Sequence, residues 1–173
     1  MTRFLTETEA LELISGSTVG HLGCVVQDQP YVVPINYIFE DGAIYSHSLP
    51  GMKIDAMRAK SRVCLQVEKV ESEFEWRSVM VFGNFEEIRV VSDRTEALRK
   101  LLGRFPFLTP VESAIAHDAN PPDSVVYRIV IDQISGVAEE QFGKWNKALL
   151  DYGDQLSLVV SDSEAGLRPA SNL

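Results

Sequence analysis

The 173-residue chain has little of several things, and each shortage excludes a class of protein. Its only two cysteines, Cys24 and Cys64, stand in apolar runs with no CxxC or Cys/His spacing. That pattern argues against a disulfide scaffold or a zinc module and for two buried thiols. No stretch approaches the ~20 apolar residues of a membrane span. The N-terminus MTRFLTETEALEL carries acids where a signal peptide would be uniformly apolar, so the expected location is the cytoplasm, with no membrane partner. Positive charge is also scarce. Sixteen Lys and Arg against twenty-five Asp and Glu leave a formal charge of -9, which opposes attraction to nucleic acid or anionic lipid. An anionic ligand therefore needs a local basic site. GxxxxGK[ST], GxGxxG after a strand, GxSxG and HExxH are all missing, so the usual nucleotide hydrolase, Rossmann dehydrogenase, esterase and zincin readings lack their motifs. His21, His47 and His117 are not at metal-ligand spacing, and no metal site is expected.

What is present is an ordinary soluble composition, 45% hydrophobic and 24% charged, in a length that suits one domain. We expect a single domain over residues 1–152 and a tail over 153–173, where periodic apolar pattern fades. Thr6 followed by Glu9 is a capping box, predicting a short helix that ends near Gly16 and lays Ala10, Leu11, Leu13 and Ile14 on a sheet as a brace. Short β-rich runs follow at residues 19–26, 31–39, 43–48 and 62–68, with turns at Gln27-Asp28-Gln29-Pro30 and at Glu40-Asp41-Gly42. The Asp-Gly pair makes the second and third runs the most secure pairing. A long strand is expected at 76–88, then a helix capped by Ser92/Asp93 and ending at Gly103, and a strand at 125–131 that continues after a break towards Val137. Residues 117–123 read as a loop and 144–152 as one more short helix. The fold class is mainly β with peripheral short helices.

Candidate chemistry concentrates after the third strand. Leu49-Pro50-Gly51-Met52-Lys53 leads into a short helix, and Lys53, Arg58, Lys60 and Arg62 stand there against the single acid Asp55. A glycine that lets backbone approach a ligand, the free N–H groups of a first helical turn and a lysine make a site for a phosphate monoester. The alternative is a set of solvated cations beside a turn. Just upstream, Tyr45-Ser46-His47-Ser48 puts hydroxyl and imidazole groups on alternating faces of a strand. Pro34 interrupts the apolar run Val33-Pro34-Ile35-Asn36, which marks an edge or an irregularity, and Asn36 adds an amide.

The ordered series Tyr31-Val32-Val33-Pro34-Ile35-Asn36-Tyr37, Asp41-Gly42, Ile44 to Lys53 and Arg62-Val63-Cys64 resembles the pyridoxamine 5′-phosphate oxidase-like flavin-binding proteins, and within them the nitroimidazole-resistance branch. The resemblance implies an antiparallel split β-barrel that forms a homodimer and holds FMN between subunits. It implies that Lys53 meets the phosphate, that Ser46, His47 and Ser48 line the ribityl chain and ring edge, and that Val33, Pro34, Ile35 and Asn36 approach the ring. Trp76 and Ser78 would reach the cofactor from the partner subunit, although Trp76 also suits simple core. Met52 stands where the oxidases carry an arginine, so phosphate binding would be weaker here or completed by Arg58 or Arg62. No counterpart of the oxidases' C-terminal substrate-binding Arg/His pair is evident. The implied activity is two-electron transfer to a small organic acceptor such as a nitro compound or quinone, with His47 as catalytic proton donor. The alternatives are a haem- or flavin-binding module without turnover, for which His21 or His117 would be candidate haem ligands, and a deazaflavin-dependent reductase.

Overall fold

The computed structural model of the chain describes residues 1–105 and 124–140. The expected loop at 117–123, helix at 144–152 and tail at 153–173, together with His117 and Trp145, lie outside the described residues. The elements are β1 (Thr2–Phe4), α1 (Glu7–Gly16), β2 (Val19–Val26), β3 (Gln29–Asn36), β4 (Ile38–Glu40), β5 (Ala43–Ser48), α2 (Met52–Ala59), β6 (Arg62–Ser72), β7 (Glu75–Glu87), α3 (Val91–Arg104) and β8 (Val125–Glu139).

The capping box at the start of α1 forms as expected. The Thr6 side chain accepts from the Glu9 backbone N–H, and the Glu9 carboxylate accepts from the Thr6 N–H at 2.8 Å. Arg3 closes on the same carboxylate at 2.7 Å, and this hydrogen bond first, then those from Thr6, hold the Glu9 pKa down to about 2. Ala10, Leu13 and Ile14 pack into the sheet. The last turn of α1 is tied by the Tyr37 hydroxyl, which donates to the Ile14 carbonyl at 2.7 Å. Burial pushes that phenol far above its usual range, so it stays a donor.

The strands form one antiparallel sheet in the order β3-β2-β6-β7-β8-β5-β4, with β1 added on β8. The core lies inside its curl and includes Leu22, Ile44, Ile54, Met57, Leu65 and Ile129. A smaller cluster of Ala97, Leu98 and Val126 forms where α3 packs on the outer face of β5 and β8. Gly83 sits at the bulge between β7 and β8, where an added Cβ would meet the Val130 carbonyl at 2.3 Å. The bulge bends β8 without ending it, so the strand expected to break before Val137 runs through to Glu139.

Three expectations are corrected. The run 31–39 is two strands: β3 ends at Asn36 and β4 begins at Ile38, with the fully buried Tyr37 between them still giving its N–H to the Thr18 carbonyl. The turn at Asp41-Gly42 has positive φ at both residues, yet its hairpin holds only three pairs, whereas β3 pairs with β2 along eight. That second hairpin turns at Gln27 and Asp28, with φ of 47° and 62° and no glycine. Finally, α3 starts before Ser92: the Ser92 hydroxyl bonds the Asp93 carboxylate at 2.9 Å instead of capping backbone. The short strand β1 was not anticipated.

Pro34 lies on β3, an edge strand of the sheet. In β3 the residues facing away from β2 along the ladder are those of the parity of Pro30 and Pro34, since a proline has no N–H to give to the ladder. β5 ends at Ser48, so by the β4–β5 register the prolines lie beyond its end. Across the seam itself the buried Ser46 hydroxyl donates to the Asn36 carbonyl at 2.7 Å.

Candidate functional site

The cation run 53–62 separates into unlike roles. Arg58 makes a two-pronged bond to Glu87 at 2.9 Å, Lys60 reaches Asp28 at 2.7 Å, and Arg62 reaches Asp132 at 2.7 Å. These three fasten α2 and β6 to the sheet, so the expected help of Arg58 or Arg62 at a phosphate is not what their geometry serves here. Lys53 differs. Among the described residues it has no ion-pair partner, it is half-buried, and desolvation lowers its pKa. A cation that gives up water with no counter-charge is electrostatically unsatisfied, and a bound anion would complete it.

The surroundings of Lys53 fit that anion. It occupies the first turn of α2, whose N-cap Gly51 supplies no side-chain cap, leaving first-turn N–H groups available. Gly51 has an extended backbone, and an added Cβ would meet nothing within 4 Å, so neither strain nor protein packing demands glycine there. The space is open to a ligand. Met52, beside it, is 58% exposed.

The strand register places the remaining predicted residues. Ser46 pairs with Tyr127 and Ser48 with Val125, on the inner face, whereas His47 pairs with Val126 on the outer face and is half-buried there. The Tyr127 hydroxyl lies against Ser46, and burial pushes its pKa up to about 12. Continuing the β4–β5 register, in which Ile38 faces Tyr45, sets Asn36 opposite His47 across the seam. Pro34 and Asn36 are exposed on the outer face of β3, while Val33 and Ile35 face the core and offer only backbone. Seam, α2 start and β3 edge thus share one corner of the fold. Trp76 and Ser78 do not join them: they lie on the outer face of β7, and β2 and β6 separate β7 from β3. Between them the outer face holds a largely apolar hollow of about 340 Å³, with Val32 62% and Phe82 38% exposed around it and Gly23 and Cys64 in its lining. Both cysteines are free thiols, Cys24 buried and Cys64 partly so. Among the described residues, no helix is long and apolar enough to cross a membrane.

The antiparallel sheet with its peripheral helices defines the class of split β-barrels. The comparisons specify it. The family model for pyridoxamine 5′-phosphate oxidase matches residues 6–138, and the chain belongs to that family. An FAD-binding protein from Mesorhizobium loti has a similar crystal structure, with a TM-score of 0.69 and 30% identity over 81% of this chain and 99% of that one. A putative 5-nitroimidazole antibiotic resistance protein from Bacteroides thetaiotaomicron shares the fold at TM-score 0.64 and 21% identity, over 80% of this chain and 87% of that one. A curated but uncharacterized protein of Rhizobium meliloti (strain 1021) is 36% identical over 86 residues, which is 50% of this chain. The match spans 57% of that relative's length.

Proposed function

We propose that the protein binds FMN at the β3–β5 seam and carries out two-electron transfer to a small organic acceptor. The observation that carries this reading is Lys53, a half-buried cation with no ion-pair partner among the described residues, at the uncapped start of α2. Lys53 and the first-turn N–H groups take the phosphate, Ser48 and backbone at Val33 and Ile35 flank the chain of the ligand, and Pro34 and Asn36 meet its ring. A homodimer completes the site, with Trp76 and Ser78 coming from the other copy across the apolar outer face. That arrangement answers the separation of β7 from β3 within one chain. The bound flavin supplies the redox chemistry. His47, on the same face as Asn36, holds the proton delivered to the acceptor at a ring nitrogen.

The Mesorhizobium loti relative is an FAD-binding protein, so FAD is the second reading for the cofactor. Absorption of the purified protein, with the mass of the released ligand, separates FMN, FAD, deazaflavin and haem. A protein that stays colourless and takes up none of them refutes the reading. Reduction by NADH or NADPH followed by reoxidation with a nitro compound or quinone distinguishes turnover from a module that only holds its flavin.

A further inference from the structure

A polar chain crosses the outer face of β2, β6 and β7, apart from the Arg62–Asp132–Asn84 group further along the same face. The rows of the sheet place Pro34, His21, Gln66 and Met80 side by side on β3, β2, β6 and β7, with Glu68 and Ser78 paired in the next row. The Gln66 amide is the hub. Its Nε2 donates to the Glu68 carboxylate at 2.8 Å and to the Ser78 hydroxyl at 3.1 Å, and its Oε1 lies 3.2 Å from Nδ1 of His21.

The polarity of this chain is fixed from one end. An ionised carboxylate only accepts, so Glu68 dictates which side of the amide carries hydrogen. With Nε2 turned to Glu68 and Ser78, Oε1 must face His21, and His21 must carry its proton on Nδ1. In the neutral form of the ring, Nε2 is then the acceptor. At the other end, Ser78 Oγ is occupied as an acceptor by Gln66, and no described residue takes the Ser78 proton. Ser78 therefore keeps its hydroxyl proton to give, with the bond from Gln66 biasing that proton away from the amide.

We infer that Gln66 and Glu68 are positioning residues that make Ser78 a hydrogen-bond donor and His21 Nε2 an acceptor towards the bound group. A carbonyl oxygen or an unprotonated ring nitrogen belongs at Ser78, and an N–H or O–H belongs at His21. Neither His21, Gln66 nor Glu68 belongs to the predicted site. The inference deepens the flavin reading and rests on it only for the identity of the ligand, because the tautomer is a property of the protein alone.

The test has two arms. Nitrogen-15 NMR of the flavin-free protein is expected to show His21 as the Nδ1–H tautomer, and Glu68→Gln, which can turn its own amide either way, is expected to mix in the Nε2–H form. An Nε2–H tautomer in the wild type overturns the inference whatever the cofactor is. In the second arm, FMN dissociation constants are measured for Gln66→Leu, Ser78→Ala and the double variant. Each single change is expected to weaken binding about tenfold, and the double variant no more than the worse single one, since both remove the same directed donor. Effects that multiply to about a hundredfold, or a Ser78→Ala variant that binds as tightly as the wild type, overturn it. Wild-type protein that binds no flavin while His21 is Nδ1–H defeats the flavin reading and leaves the polarity of the chain intact.

Discussion

Replacing Lys53 by methionine should move stability and affinity in opposite directions. The side chain is half-buried, lacks an ion-pair partner among the described residues, and has its pKa lowered chiefly by desolvation. In the flavin-free protein the charge is therefore a cost of folding. The pH dependence follows from that direction: between the lowered folded value and the free lysine value near 10.4, the unfolded chain binds a proton that the folded chain does not. Stability contributed by this site thus rises with pH through that window. Methionine keeps the apolar stem and removes the charge, so flavin-free Lys53→Met should be more stable by up to about 1 kcal/mol, or roughly 2–4 °C for a domain of this size. It should also lose the pH-dependent rise below pH 10. Affinity moves the other way. A charge-assisted bond to phosphate is worth about 1.5–3 kcal/mol, which predicts FMN binding weaker by roughly 10- to 150-fold. Thermal unfolding followed by circular dichroism between pH 7 and 10, with a flavin-fluorescence titration, measures both. A flavin-free variant that melts well below wild type, or one that holds FMN as tightly, refutes the argument.

Arg58→Met is the companion control: it breaks the paired bond to Glu87, should cost about 1 kcal/mol of stability, and should leave FMN affinity within about twofold. Tyr37→Phe removes the only side-chain bond to the Ile14 carbonyl seen among the described residues, and denaturant unfolding should register a loss of about 1–2 kcal/mol. The raised Tyr127 phenol, at about 12, binds its proton more tightly folded than unfolded, so its contribution is whole below pH 10 and disappears as pH climbs to 12. Tyr127→Phe should flatten that alkaline decline, read by unfolding at fixed pH. Ser46→Ala unfastens the seam and should cost about 1 kcal/mol, with faster amide exchange at Asn36 and Tyr37 than at Leu22.

Most of the sheet is legible in residue order. Turn residues at 27–30 and 41–42 and β-rich runs between them mark β2 to β5, and the Thr6–Glu9 box marks α1, because these signals are local. Tyr37 is the instructive failure. Nothing local distinguishes it from a strand residue; its hydroxyl finds the Ile14 carbonyl at the end of α1, a partner far away in sequence. The same limit governs the charges. In the sequence Lys53, Arg58, Lys60 and Arg62 are equivalent cations, and only long-range partners at Glu87, Asp28 and Asp132 separate three fasteners from one unsatisfied lysine. The Ser46–His47–Ser48 alternation is readable from strand period alone, and the register bears out the alternation of faces. Gln66 is invisible by such means, since a glutamine in a strand carries no signal until its three neighbours are known.

The wall between β3 and β5 has a mechanical character unlike the eight-pair ladder of β2 and β3. Parting two laddered strands means breaking many bonds at once, which ties such motion to global unfolding. Between β3 and β5, among the described residues, the rung is the Ser46 hydroxyl on the Asn36 carbonyl, and its loss leaves the neighbouring ladders paired.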